Sequence, residues 1–156
     1  EIVPLFLFLV CLKKKFILLV IFFMEFFCVN FFFTNFFIRI IVWDNQDLYQ
    51  KAIKEMQNIE EWKYFGIITP IIIWEVIYVL HSPKLYWLTR EQITQAIHII
   101  MRSKNIITEE KAIVHQTLEL YSHTLLDFAD CYLIAKYQKE KIDSILTFDK
   151  QILHYL

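Results

Sequence analysis

Four short apolar segments, each separated from the next by two predicted helices, constrain the fold of this chain more than any other feature of its sequence. The segments are Phe31–Phe33, Tyr64–Thr69, Ile106–Ile107 and Ser144–Thr147. The residues between them carry apolar side chains at helical spacing, which gives the order β-α-α-β-α-α-β-α-α-β-α. Strands that alternate with helices form a parallel sheet with helices on both faces. The sequence therefore predicts an α/β fold, a three-layer α/β/α domain with a central parallel sheet of about four strands.

Capping residues mark the starts of several of these helices. Thr69 and Pro70 predict a helix that runs to about His81, with Thr as the N-cap and Pro in the first helical position. The segment from Thr89 to Gln92 is a capping box that opens the next helix. Thr108 is expected to cap the helix that follows the third strand.

The composition excludes several classes of function. Lys and Arg total 16 and Asp and Glu total 17, so a surface that binds a polyanion would have to be a local patch. The single glycine rules out a glycine-rich phosphate loop. The three cysteines fit no zinc or redox motif, and the five histidines form no ligand pair at helical spacing. A reducing compartment, and so a cytoplasmic location, is the simplest interpretation.

The first 30 residues form an apolar extension of uncertain status. They lack the small-residue cleavage site of a signal peptide. A membrane span over 16–33 would have to absorb Glu25 and Asn30, and an acid in the middle of a bilayer is costly. The favoured interpretation is a leader or an over-extended reading frame before a true start at Met24. A membrane anchor, which we consider unlikely, and an additional ordered helix are the alternatives.

Three acidic residues stand where an acid in a folded domain needs an explanation. Asp130 shares a predicted helix face with apolar neighbours and with Asp127; the apolar neighbours are Leu126, Leu133, Ile134 and Tyr137. Asp149 follows the apolar pair Ile145-Leu146, where a buried strand would emerge, and ligands collect at such strand ends. Acids that reach one sheet edge from separate elements suggest a metal site. Asp127 could instead be an N-cap, and Asp149 could cap the last short helix.

A fourth acid, Glu75, lies in a helix that is otherwise apolar from Ile71 to Leu80. Such a helix is predicted to be buried almost all round. A buried carboxylate needs either a metal or a cationic partner, so Glu75 is either a ligand or one half of a pair with Lys or Arg.

Several of these segments resemble, in order, the successive motifs of PIN domains. The segments are Ile68-Thr-Pro through Glu75 to Leu80, Asp127-Phe-Ala-Asp-Cys131 and Leu146-Thr-Phe-Asp-Lys150. Phe33-Thr-Asn35 is similar to the first PIN motif, which normally has Asp followed by Thr or Ser and then Asn. The resemblance is greatest to the VapC-type toxins of bacterial toxin–antitoxin pairs. It covers a PIN-like domain over 31–156 and leaves 1–30 as the extension.

The resemblance implies an endoribonuclease that cuts RNA phosphodiesters with water activated by Mg²⁺ or Mn²⁺. Glu75, Asp130 and Asp149 would be the catalytic acids and metal ligands, with Asp127 as a further metal-site neighbour. Hard cations of this kind prefer carboxylate oxygens. The partners implied are an RNA substrate, a cognate antitoxin protein and a second copy of the chain in a homodimer.

The first motif departs from the family pattern. Thr34 and Asn35 match positions that support the site, but Phe33 stands where the family has its first Asp. A phenyl ring cannot bind a metal, and Asp44 is separated from the strand end by a whole predicted helix. Two hypotheses follow from this departure, a ribonuclease toxin or a catalytically impaired PIN-like domain that binds RNA or an antitoxin without cleaving. A small membrane-anchored protein is a third hypothesis, which depends only on the apolar N-terminus.

Overall fold

The computed structural model describes residues 28–140 and 142–155 of the chain. The predictions of a leader, an anchor or a start at Met24 concern residues that lie almost entirely outside these ranges. The first strand, β1, spans Cys28–Phe31 and so begins before the predicted segment at Phe31–Phe33.

The sheet of the described chain has three parallel strands in the order β1-β2-β3. Strand β2 (Tyr64–Ile68) pairs with β1 on one side and with β3 (Ile106–Thr108) on the other. Its central residue, Gly66, lies under the ring of Phe32. A Cβ atom at position 66 would come within 2.0 Å of Cε2 of Phe32, so only glycine fits there.

The α/β class, with helices packed around a parallel sheet, is confirmed, but the predicted fourth strand does not form. Residues 144–147 make no ladder hydrogen bonds in the described structure, and the side chain of Leu146 is 96% exposed. A strand in a sheet covered on both faces is normally a longer apolar run, and here Ser144 and Thr147 flank only Ile145 and Leu146. Two apolar residues do not distinguish a buried strand from an extended loop.

Seven helices complete the part of the chain that the structure describes. They are α1 (Thr34–Val42), α2 (Gln46–Glu60), α3 (Pro70–His81), α4 (Arg90–Arg102), α5 (Lys111–His123), α6 (Phe128–Lys139) and α7 (Lys150–Leu153). None of the helices in this part is long and apolar enough to cross a membrane. The element order is the predicted one except for the missing strand before α7.

The helix caps separate correct from incorrect local predictions. The hydroxyl of Thr69 accepts a hydrogen bond from the amide of Ile72 at 3.3 Å, and Thr89 with Gln92 forms the complete capping box. The prediction that Thr108 caps α5 is wrong. Thr108 remains in strand β3, because it is paired with β2, and Glu110 precedes the helix instead, in a left-handed conformation and without a side-chain cap.

The core draws on all the long helices after α1. The largest fully buried aliphatic side chains come one each from α2 to α6, namely Ile59, Leu80, Ile93, Leu118 and Ile134. Burying a side chain of this size contributes about 1.5–3 kcal/mol. One apolar stripe from each helix is therefore enough to hold the layers together.

The composition of helix α3 predicted burial almost all round, and this prediction is wrong. Ile71, Trp74 and Tyr78 are 71%, 49% and 72% exposed, and Glu75 lies on the same outward side. The buried face is formed by Ile73, Val76, Ile77 and Leu80. Because both faces are apolar, the sequence shows no helical period from which the outward face could have been recognised.

Candidate active site

The end of strand β1 presents Phe33 where the first motif usually has its Asp. Phe33 is the N-cap residue of α1, with φ −102° and ψ 155°, and its side chain makes no capping hydrogen bond. The ring is 72% exposed. An Asp or Asn in this conformation could accept hydrogen bonds from the first turn of the helix. The position therefore lacks both a cap and a carboxylate.

The next residue, Thr34, connects α1 to α3. Its side chain is buried, and its hydroxyl donates a hydrogen bond to Oε2 of Glu75. The partner of Glu75 is thus a neutral hydroxyl from the first motif, and not the Lys or Arg that a buried helix would have required. Asn35 follows on the exposed surface of the same helical turn.

Asp127 and Asp130 are joined through the start of helix α6. Asp127 is the N-cap, and its Oδ1 accepts a hydrogen bond from the backbone amide of Asp130 at 2.9 Å. The capping interpretation of Asp127 is therefore correct as far as one of its oxygens is concerned. The cap places Asp130 in the first turn, where the amide groups of the helix favour negative charge.

Asp149 occupies the equivalent place in helix α7. Its Oδ1 accepts a hydrogen bond from the amide of Gln151 at 2.8 Å, and its own amide donates to Oγ1 of Thr147 at 3.0 Å. This residue is also a cap, as one alternative predicted. A capping bond that uses one carboxylate oxygen leaves the other oxygen for a second partner.

The charges of Asp127 and Asp149 act on Asp130. Partial burial raises the pKa of Asp130 above its ordinary value of 3.8, and the nearby charges of Asp127 and Asp149 raise this pKa further. No cationic side chain is among the causes of the shift. We call these three residues the acidic trio. It combines like charges with carboxylate oxygens, the type of donor that cations such as Mg²⁺ prefer.

The structure therefore places the predicted site residues in two groups. Thr34 and Glu75 form one group, and the acidic trio forms the other. Helices α3 and α6, which carry Glu75 and Asp130, pack against each other. In residues 28–140 and 142–155, no three or more His, Cys, Asp or Glu side chains converge closely enough to hold a metal ion.

One residue near the trio was missed by the sequence analysis. Arg90, at the first position of α4, donates hydrogen bonds to backbone carbonyls between Tyr121 and Leu126, just before Asp127. The sequence carries no local signal for this role, because the partners of Arg90 are backbone carbonyls, which every residue has.

Comparison with protein families gives a match that agrees with this geometry. The profile described as PIN domain matches residues 34–155. The match begins one residue after Phe33 and includes both groups of site residues. Searches of curated proteins and of solved structures gave no significant match.

Proposed function

The chain belongs to the PIN domain family, a family of nucleases, and from this we propose that it is a metal-dependent endoribonuclease. The observation that carries the proposal lies at the start of α6, within the matched region, where Asp127 holds the amide of Asp130. Burial and the charges of Asp127 and Asp149 raise the pKa of Asp130, with no cation among the causes. A site of this kind is stabilised by a divalent ion, because the ion removes the repulsion that the fold leaves unopposed.

In this proposal, Asp130 holds the cation through its carboxylate, and Asp149 through the oxygen that its capping bond to Gln151 leaves available. Asp127 adds negative charge while it fixes the start of α6. Glu75, oriented by the hydroxyl of Thr34, holds the opposite side of the site. Bound Mg²⁺ or Mn²⁺ would lower the pKa of a water molecule and stabilise charge on the phosphate during cleavage.

Phe33 supports a second candidate function, an impaired PIN-like domain that binds RNA without cutting it. The missing carboxylate removes one charge and one ligand from a site for a hard cation. Loss of geometry at a reacting centre costs about a hundredfold in rate. We therefore expect slow cleavage from the natural sequence.

The experiment that separates the two functions is cleavage of a structured RNA in Mg²⁺ or Mn²⁺, with EDTA as the control. Asp130→Asn is the matched variant, because it keeps the size of the side chain and removes its charge. Cleavage that EDTA and Asp130→Asn both abolish supports the nuclease. RNA binding without such cleavage, on several RNAs, supports the binding domain.

We further propose that the protein is a VapC-type toxin that forms a homodimer and binds a small antitoxin. The exposed stripe of Ile71, Trp74 and Tyr78 supports this assembly, because contiguous apolar surface marks interaction sites. A groove of about 760 Å³ beside the stripe is lined by Trp74 and Phe128 and has Glu109 and Glu110 among its other residues. An antitoxin segment that carries Arg could pair with Glu109, whereas Glu110 is already paired with Lys136.

Light scattering at micromolar concentration tests the dimer. Tyr78→Asp should give monomers, since a charge in the middle of an apolar interface is costly. Ile99→Asp is the matched control, because Ile99 is exposed to a similar degree on a different helix. A natural protein that is monomeric at this concentration would contradict the dimer, and so would a Tyr78→Asp variant that remains dimeric.

A further inference from the structure

The guanidinium group of Arg90 is held by the turn between α5 and α6. Nη1 donates to the carbonyl oxygens of Tyr121 and Thr124, each at 3.1 Å, and to that of Leu126. Nη2 donates to the carbonyl oxygen of Leu125 at 3.3 Å. The guanidinium carbon lies 4.3 Å from the centre of the Tyr121 ring. One side chain thus contacts every residue of the turn and the end of the preceding helix.

These carbonyl groups lie where backbone acceptors ordinarily lack partners. The last carbonyls of a helix have no intrahelical donor, and a turn supplies few donors of its own. Leu126 is buried, so its carbonyl would be difficult to satisfy with water. Arg90 provides the donors, and its planar fork can bond several acceptors at once. The path of residues 124–126 therefore depends on Arg90.

The next residue after this turn is Asp127, the N-cap of α6. The position of the turn sets where α6 begins, and the start of α6 sets where Asp127 and Asp130 lie relative to Asp149. Arg90 does not act on Asp130 by its charge, since the causes of the pKa shift of Asp130 do not include it. Its influence is transmitted through the backbone.

We propose that Arg90 is the positioning residue of the acidic trio, and this inference rests on the proposed function in that the trio is the cation site. By holding residues 124–126, Arg90 fixes the start of α6, and with it the Asp127 cap whose Oδ1 holds the amide of Asp130. Groups that orient metal ligands from outside the ligand set contribute about 10- to 100-fold in metal affinity. Arg90 stabilises the site from a different helix, without touching the metal or the substrate.

The first test measures the pKa of Asp130 by carboxyl NMR in metal-free protein. Arg90→Lys keeps the charge but cannot bond four carbonyls in a plane. We expect the pKa of Asp130 to fall toward its ordinary value in this variant, because a displaced start of α6 leaves Asp130 less buried and further from the charge of Asp149. Arg102→Lys, at the exposed far end of the same helix, is the control and should leave the pKa unchanged.

The second test measures Mn²⁺ affinity by calorimetry in the same proteins. Arg90→Lys should weaken binding about tenfold, and Arg102→Lys should not. If the natural protein binds no Mn²⁺, the proposed function fails, but the pKa measurement still reports on Arg90. An Arg90→Lys protein that melts earlier, yet keeps the pKa of Asp130 and the Mn²⁺ affinity, would overturn the inference.

If Arg90→Lys does not fold, a second variant that keeps Arg90 can still test the role of the turn. Leu125 is 92% exposed, so Leu125→Gly removes no packing and only adds backbone freedom to the turn. We expect the pKa of Asp130 and the Mn²⁺ affinity to change in the same direction as in Arg90→Lys, by a smaller amount. If neither changes in Leu125→Gly, the turn does not control the trio and the inference is wrong.

Discussion

The Thr34–Glu75 pair and the acidic trio hold their carboxylates in opposite ways. Glu75 is exposed and has a hydroxyl donor from the neighbouring helix. Asp130 is partly buried and lies near two further carboxylates, which raise its pKa. The first group is satisfied by the protein alone, whereas the second is left with unopposed negative charge. In the proposed function, the trio is therefore the group that would gain more from a bound cation.

The largest effect is expected from restoring the acid next to Thr34. Phe33→Asp should raise metal-dependent RNA cleavage by roughly a hundredfold, because it returns a ligand to the Glu75 side of the site. Phe33→Asn is the control. Both residues can cap α1, which adds about 1 kcal/mol of stability, but only Asp adds charge. Equal cleavage rates for the two variants would show that capping, and not a restored ligand, is responsible.

Asp130→Asn should make the metal-free protein more stable and remove its stabilisation by Mn²⁺. A raised folded pKa means that Asp130 favours folding below its ordinary pKa of 3.8 and loses this contribution as pH rises through the folded pKa. At pH 7 in EDTA the variant should therefore melt at a higher temperature, by less than about 4 °C. It should also lose the stabilisation by Mn²⁺.

Asp143→Asn, at an exposed acid outside the trio, is the control for this measurement and should change neither property. A lower melting temperature for Asp130→Asn in EDTA would contradict the description of the trio as a repulsive cluster.

Thr34→Val tests the other group. Loss of the hydroxyl should cost about 1 kcal/mol, which corresponds to roughly 2–4 °C in melting temperature. Thr34→Ser keeps the hydroxyl and should retain most of the stability. The pKa of Asp130, measured by NMR, should be the same in both variants. A shift of this pKa in Thr34→Val would show that the two groups are coupled more closely than their contacts indicate.

The smallest effect is expected at a histidine pair away from both groups. The rings of His98 and His115 lie 4.7 Å apart between α4 and α5. Burial lowers the pKa of His98 below 6.5, the charges of His115 and Arg102 lower it further, and Glu119 opposes the shift. A lowered histidine pKa adds stability at higher pH that is lost as pH falls below 6.5. Melting curves between pH 5 and 8 should show a shallower acid loss for His98→Gln; an unchanged slope would exclude this pair as its source.

Local signals in the sequence predicted the fold better than long-range ones. The caps at Thr69 and Thr89 were correct, since a cap depends on the three or four residues that follow it. Thr108 and the segment 144–147 were wrong, because pairing with a neighbouring strand decided both outcomes. The exposure of α3 also could not be predicted from a helix that is apolar on every side.

The candidate site was predicted to the same extent. The proximity of Asp127 to Asp130 follows from helical spacing. Asp149 was placed at the end of a strand that does not form, and it caps α7 instead. The bond from Thr34 to Glu75 joins residues 41 positions apart, and no local pattern contains it. Arg90 was missed because its role depends on carbonyl groups, which every residue possesses and which the sequence does not distinguish.

The close contact between Gly66 and Phe32 has a consequence for genetic experiments. Gly66 is the single glycine of the chain, and any larger residue there would displace a buried ring at the centre of the sheet. In a library of random variants, position 66 should therefore tolerate no substitution, although it lies outside both groups of acids. Gly66→Val then serves as a reference for complete loss of the fold in cells. A phenotype that persists with Gly66→Val does not come from the folded domain.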